Sequence, residues 1–360
     1  MTTLAERCGS IWNSIRQSPT QLPSGVTIPH GQVESGNQTS DLFTPNRHYF
    51  QVRVNEMFLS SGREWFAKYD PMVFAVSEFV YDKKREAIPF VVGPAMMQKF
   101  GRNLPEGMIF SDTRVAGLHP YRGGQLTLSI ILYKVQTSNM VRKLLAMIEN
   151  TANVLDFANA LDTYLKVADV VMDGVESLLD LGGSEPVMGL REEFDPSDGR
   201  LRPSFFALIN MPKNELDTNK LWVRDRTLYY GESSESASPF RRADFVLYSV
   251  TQVPERSDLT TLPFYPQWEH TQREALDPRE DSWTSAKANM ASLMQTMLLS
   301  PDLTDHQAHQ LVKEWSNKLV NFHKMAVGNA NMSDGKSKKA PEKMEDARAQ
   351  SLAFLKETAG

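Results

Sequence analysis

The spacing of apolar residues changes after Gln136, and this change limits the folds that the chain can adopt. Before it, "YFQVRVNEMF" (49–58) and "GGQLTLSIILYKV" (123–135) alternate apolar and polar side chains, as antiparallel strands with one buried face do. From Leu144 to Leu179, apolar residues recur three or four positions apart, which is typical of helices. One helix of that length would measure about 60 Å, so we expect two helices packed as a hairpin.

Strand-like runs return after this helical segment. They are "SFFALINMP" (204–212), "KLWVRDRTLYYG" (220–231) and "ADFVLYSVTQV" (243–253), each rich in β-branched and aromatic residues. The sequence therefore predicts an α+β fold, with an antiparallel β-sandwich-like body, an inserted helical hairpin and a C-terminal helical pair. It leaves open whether the inserted helices pack on the body or project from it.

The C-terminal pair is predicted from a stripe on the first helix and a break before the second. Trp283, Ala286, Met290, Leu293 and Met297 fall on one helical face, and a proline and a capping threonine follow. The predicted segments are an N-terminal helix and flexible arm (1–46), the first part of the β-rich body (47–136), the helical insertion (137–182), the second part of the body (183–280), the helical hairpin (281–329) and a charged flexible tail (330–360).

Seven apolar side chains are predicted to form an interface with another protein or a second copy of the chain. The N-terminal helix carries a stripe that has to be buried against something, and the aromatic and methionine residues near the C-terminal helices are typical of interface anchors. The predicted interface residues are Ile11, Trp12, Ile15, Tyr265, Trp268, Met290 and Met294.

Composition argues against several classes of ligand. A net charge of -5 disfavours a nucleic-acid partner, because neutralising many phosphates requires a concentrated cationic surface. Cys8 is the only cysteine, so the chain can form no internal disulfide and no thiolate-rich metal site. We expect no metal and no cofactor. The sequence shows neither a secretory leader nor an apolar run long enough for a membrane span, which predicts a cytoplasmic protein.

The stretch "SDTRVAGLHPYRGG" (111–124) is the best candidate for a chemical site. His119 could carry a proton near neutral pH, Asp112 could orient it, and Arg114 or Arg122 could hold an anion. The other interpretation is structural, since Pro120 and the two glycines would simply make a turn that leads into the next strand.

No nucleotide-binding, serine-hydrolase or zinc-protease motif is present. The sequence therefore favours a non-catalytic interaction or structural subunit, which assembles into a larger protein complex through its N-terminal arm and C-terminal helices. The alternative is an enzyme of another type with a polar site around Asp112–Arg122.

Overall fold

The computed structural model describes residues 3–17, 25–34, 41–60, 63–64, 67–81, 84–93, 108–136, 138, 143–148, 151, 161–182, 184–195 and 201–334. The fold is α+β, and all pairings between its strands are antiparallel, as predicted. The strands are β1 (Gly25–Ile28), β2 (Tyr49–Phe58), β3 (Arg63–Glu64), β4 (Ala67–Tyr81), β5 (Lys84–Val92), β6 (Met108–Pro120), β7 (Leu126–Gln136), β8 (Ser184–Phe194), β9 (Ser204–Ile209), β10 (Leu221–Arg224), β11 (Thr227–Tyr230), β12 (Ser238–Pro239) and β13 (Phe245–Val253). The helices are α1 (Leu4–Gln17), α2 (Leu161–Asp180), α3 (Tyr265–Ala275), α4 (Glu280–Leu298) and α5 (Asp305–Asp334).

Two sheets pack with their inner faces in one apolar core. The first sheet has the order β1-β9-β13-β2-β6, and the second has the order β5-β4-β7-β8, with β3 paired to the start of β4. Phe50 of β2 lies 5.0 Å from Phe79 of β4 between ring centroids, and Phe206 of β9 lies 5.3 Å from Phe194 of β8. These contacts make the body sandwich-like.

The central strands β2 and β7 are buried on both faces. Their alternating sequences predicted one buried face and one face in contact with water. The outer face of the first sheet is covered by a small sheet of β10, β11 and β12, and a second apolar cluster fills the space between them. The outer face of the second sheet is covered by α1 and α2. The polar residues on these faces, such as Gln51, Glu56, Thr127 and Ser129, are therefore buried.

Helix α1 lies against the second sheet through the stripe that the sequence shows. Ile11 and Ile15 are buried, and Trp12 is partly buried over β8. A Cβ atom at Gly189 would lie 3.1 Å from Trp12 Cζ3, so the absence of a side chain there lets the indole approach the strand.

The described part of the helical insertion packs on the body. Val171, Met172, Val175 and Leu178 of α2 are buried in the core, and α2 contacts β5 and α1. Residues 143–148 are also helical, and Ile148 lies against Gly174 of α2. The segment that would join the two helices of the predicted hairpin, residues 149–160, lies outside the described residues except for Thr151.

Other elements differ from the sequence-based expectation. Residues 25–28, within the predicted flexible arm, form β1 because their backbone pairs with β9. Residues 265–275, within the predicted second part of the β-rich body, form α3. The predicted tail at residues 330–360 is described only as far as Asp334, where α5 ends.

The chain divides into two compact units. The first contains Met1–Pro266 and Met294–Val312, and the second contains Gln267–Leu293 and Lys313–Gly360. Within the second unit, the rings of Trp268 and Trp315 stack with their centroids 4.5 Å apart, and those of Trp283 and His323 stack at 4.1 Å.

Among the described helices, none combines the length and apolar character that a membrane crossing requires.

Candidate functional site

His119 lies inside the core and not in an exposed loop. Strand β6 extends to Pro120, so the candidate stretch is mostly strand, and the turn comprises only residues 121–125. The imidazole is 1% exposed, stacks on Phe79 at 4.7 Å and meets Phe50 edge-on at 5.7 Å. Asp112 also lies in β6, but its side chain is outside the described part of the structure.

Burial keeps His119 neutral. Desolvation, reinforced by the positive charges of Arg256 and Arg114, lowers the pKa of His119 to about 3. A proton carrier at neutral pH requires a pKa near 7, and this imidazole takes up a proton only in strong acid. The predicted catalytic roles of His119, Asp112 and Arg122 stay predictions.

Arg122 holds the turn between α4 and α5, residues 299–304. Its Nη2 donates to the carbonyl oxygens of Ser300 at 3.1 Å and Leu303 at 2.5 Å. Its Nη1 donates to Asn46 Oδ1 at 3.2 Å and to Asp305 Oδ1 at 2.6 Å. Through these hydrogen bonds, Arg122 connects the turn to the segment that follows β6.

Arg256 supports the same turn from inside. Its side chain is fully buried and donates from Nε to Asp258 Oδ1 at 2.7 Å and from Nη1 to the Asp302 carbonyl oxygen at 2.9 Å. The backbone of Arg256 pairs with the amide of Gln307, donating to Oε1 at 3.1 Å and accepting from Nε2 at 2.8 Å. A buried charge is tolerated when it is hydrogen-bonded in this way.

Two tyrosines, one from each sheet, also form hydrogen bonds to the turn and to the start of α5. Tyr49 of β2 donates to Gln307 Oε1 at 2.5 Å and accepts from the Thr304 N–H at 3.0 Å. Tyr81 of β4 donates to Asp302 Oδ1 at 3.2 Å. We call Tyr49, Tyr81, Arg122, Arg256 and Gln307 the turn network.

Two exposed apolar side chains lie next to the turn that this network holds. Leu298 is 41% exposed and Leu299 is 74% exposed, immediately before the residues that Arg122 and Arg256 hold. Among the residues of the turn network, Arg122 could be singled out from the sequence, whereas Tyr49, Tyr81, Arg256 and Gln307 could not. Tyr49 and Gln307 are 258 positions apart, so no local spacing could have connected them.

No metal centre is formed by the part of the chain that the structure describes, where no three His, Cys, Asp or Glu side chains are arranged to hold an ion. Cys8 is buried, and its desolvation raises the pKa of the thiol to about 12. It is therefore protonated at neutral pH and is a poor nucleophile.

The predicted interface residues have different degrees of exposure. Ile11 and Ile15 are buried against the chain's own second sheet, and Trp268 and Met290 are also buried within the chain. Their participation in an interface stays a prediction. The remaining three, Trp12, Tyr265 and Met294, are partly exposed.

The turn network is therefore a polar cluster with its hydrogen bonds satisfied, and it orders a surface turn with exposed leucines.

Searches against protein-family models, curated proteins and solved structures find no match to this chain.

Proposed function

We propose that this protein is a non-catalytic interaction or structural subunit of a larger protein complex, and that the turn between α4 and α5 belongs to its contact surface. The exposure of Leu299 on a turn held by buried hydrogen bonds is the observation that carries the proposal. The partner is a protein or a second copy of the chain.

Rigidity is the reason that this turn suits binding. Association has to overcome the loss of side-chain and loop freedom, and a turn already fixed by Arg122 and Arg256 loses little on binding. Burying a leucine side chain contributes about 1.5–3 kcal/mol, so Leu298 and Leu299 would favour association once covered.

The two regions predicted to make contacts, the N-terminal arm and the C-terminal helices, support the proposal to different extents. The apolar stripe of α1 is buried against the chain's own core, so it is not available to a partner, and the proposal rests on the C-terminal helices.

We also propose a cytoplasmic location, because the single cysteine fits a reducing compartment.

The test compares two leucine substitutions of equal chemistry. Leu299→Asp places a charge on the proposed contact, whereas Leu181→Asp changes a residue of 43% exposure just after α2 and serves as the control. Both variants and the original chain are purified with whatever binds them, and their assemblies are weighed by native mass spectrometry.

We expect the original chain and Leu181→Asp to be found in a stoichiometric assembly, and Leu299→Asp to be found alone with an unchanged melting temperature. A monomeric original chain with no bound protein, or an assembly that survives Leu299→Asp, would refute the proposal.

A further inference from the structure

Residues 25–34, which we call the strap, lie across the edges of two sheets. At the start of the strap, β1 pairs along its whole length with β9, at the edge of the first sheet. At its end, Val33 forms a bridge with Val223 of β10, and the Glu34 N–H donates to the Val223 carbonyl oxygen at 2.9 Å. The strap therefore connects the first sheet to the small sheet, and it occupies a groove formed by β9 and β10.

One buried side chain anchors the strap in this groove. Of the strap residues, all of which the structure describes, only Ile28 is buried, in the apolar cluster between the first sheet and the small sheet. The residues Gly25, Thr27 and Pro29 around it are exposed. The strands β9 and β13, in contrast, are buried over most of their length. Segments with few buried contacts open at low free energy, so the strap can leave the groove while the sheets stay folded.

The groove fits the sequence of the strap at several positions. At the start, a Cβ atom on Gly25 would lie 2.8 Å from Leu190 Cδ2, so glycine allows the close approach of the two chains. At the end, the Ser234 hydroxyl donates to Glu34 Oε1. Together with the pocket for Ile28, these contacts select an extended segment with glycine, a branched apolar residue and a carboxylate at fixed spacing.

We infer that the groove between β9 and β10 is a binding site for an extended peptide segment, that the strap occupies it as an internal ligand, and that the strap of a second copy of the chain can take its place. Adding a strand to a sheet edge is a recurrent mode of recognition, in which backbone hydrogen bonds give affinity and side-chain pockets give specificity. Because the groove selects the sequence of the strap, a second copy carries the segment that it fits.

Exchange between copies rests on the proposed assembly. A strap is present at high effective concentration next to its own groove, so a second copy competes only when the assembly holds the two chains together. An exchanged segment makes the same contacts in the second copy as in its own chain, so the exchange requires little free energy. Residues 18–24 join the strap to α1, and extended chain spans about 3.3–3.6 Å per residue, so the strap can move while α1 stays on the second sheet.

The first experiment measures binding of a synthetic peptide to the full chain by fluorescence anisotropy. The probe has the sequence of residues 24–35 and carries a dye at its N-terminus, and the control peptide carries Ile28→Asp. Three proteins are compared, namely the original chain, Ile28→Ala, which weakens the internal strap, and Ile148→Ala. The last variant shortens a buried isoleucine of the other apolar cluster and serves as the matched control.

We expect Ile28→Ala to bind the peptide saturably and at least tenfold more tightly than the original chain does, because its own strap competes less. Ile148→Ala should bind like the original chain, and the Ile28→Asp peptide should bind at least tenfold more weakly than the unchanged peptide. Circular dichroism establishes that Ile28→Ala is folded. If it is not, Ile28→Val, which removes a single methylene group, takes its place.

The second experiment traps the exchange with a disulfide. Val26 of β1 lies directly opposite Ala207 of β9, within the distance that a disulfide can bridge. Val26→Cys and Ala207→Cys are introduced into separate chains, each of which also carries Cys8→Ala, and the two chains are mixed and oxidised. Since each chain then has one cysteine, a disulfide between positions 26 and 207 joins two copies, and mass spectrometry of the digested protein detects it.

A matched pair controls for disulfides that form without exchange. Lys134→Cys and Glu185→Cys are opposite each other in β7 and β8, within the second sheet. We expect a disulfide between the copies for positions 26 and 207 and none for positions 134 and 185.

Four results would overturn the inference. The groove is not a peptide site if the unchanged peptide shows no saturable binding to Ile28→Ala, if both peptides bind equally, or if Ile28→Ala and the original chain bind equally. Exchange is excluded if the chain assembles in native mass spectrometry and no disulfide joins positions 26 and 207. A chain that does not assemble refutes the proposed function and the exchange together, whereas the peptide measurement decides the groove in either case.

Discussion

Glu56 shows how a single buried side chain can make the stability of a whole protein depend on pH. It is fully buried between the first sheet and the β10–β11 hairpin, where Arg241 Nη2 and the Leu228 N–H donate to its carboxylate at 2.8 Å each. Desolvation outweighs these favourable contacts and raises the pKa of Glu56 to about 7. The folded chain therefore binds this proton more tightly than the unfolded chain does.

The sign of the pH dependence follows from this difference. The stabilising contribution of protonated Glu56 is fully present below the unfolded pKa near 4.5, and it is lost as the pH rises through about 7. We expect this loss to be on the order of 3 kcal/mol of unfolding free energy, at about 1.4 kcal/mol per pKa unit. Urea unfolding of the original chain and of Glu56→Gln, between pH 5 and pH 8, measures it.

The variant has no carboxyl group to titrate at this position, so the difference in stability between the two proteins should shift in its favour as the pH rises. A constant difference across this range would show that Glu56 does not titrate there.

At the scale of elements, one arginine connects α1 to α2. Arg7 forms a two-point contact with Glu176, from Nε to Oε1 at 3.0 Å and from Nη2 to Oε2 at 2.7 Å, and Nη2 also lies 2.6 Å from Asp173 Oδ1. The Arg7 side chain is 17% exposed, whereas those of Asp173 and Glu176 are 71% and 41% exposed, so solvent partly screens these ion pairs. The position of α1 on the body thus depends on charge as well as on its apolar stripe.

Replacing Arg7 should loosen α1 without unfolding the body. Arg7→Gln leaves three acidic groups of α2, those of Asp169, Asp173 and Glu176, without this cation, and we expect local opening of residues 4–17 to become easier by about 1 kcal/mol. Hydrogen exchange followed by mass spectrometry measures the change, with Arg16→Gln as the matched control on the exposed face of α1.

Exchange in α1 that is no faster in Arg7→Gln than in Arg16→Gln would mean that the apolar stripe alone holds the helix.

Across the first compact unit, the two sheets are each covered on both faces. The helices α1 and α2 lie outside the second sheet, and the small sheet of β10, β11 and β12 lies outside the first. This arrangement explains why the central strands β2 and β7 are buried nearly throughout although their sequences alternate. The covering layers, and not the strands alone, keep these polar faces away from water.

Two valines of α2 test whether the helical layer closes the second sheet. Val175 is fully buried, while Val170 is 51% exposed on the same helix. Val175→Asp should lower the free energy of unfolding by at least ~3 kcal/mol, since an unpaired charge would be buried. Val170→Asp should change it by less than about 0.5 kcal/mol.

Thermal and urea melting of the two variants give the comparison. Equal stability of Val175→Asp and Val170→Asp would indicate that α2 stands away from the sheet.

Elements with a local apolar period could be predicted from the sequence. The alternation of residues 126–135 predicted β7, and four of the five residues predicted to share one helical face, Ala286, Met290, Leu293 and Met297, are buried on α4. The α+β class followed from the change of period after Gln136. Each of these predictions depends on residues a few positions apart, whose side chains lie on the same face of a strand or a helix.

Other features were decided by contacts between distant parts of the chain. The pairing of β1 with β9, the burial of His119 between Phe50 and Phe79, and the bonding of Arg256 to the α4–α5 turn have no signature in local spacing. A polar residue in an alternating run has the same sequence pattern whether water or a covering layer faces it. Only the tertiary structure decides this, because the energy of a polar group depends on whether water or protein surrounds it.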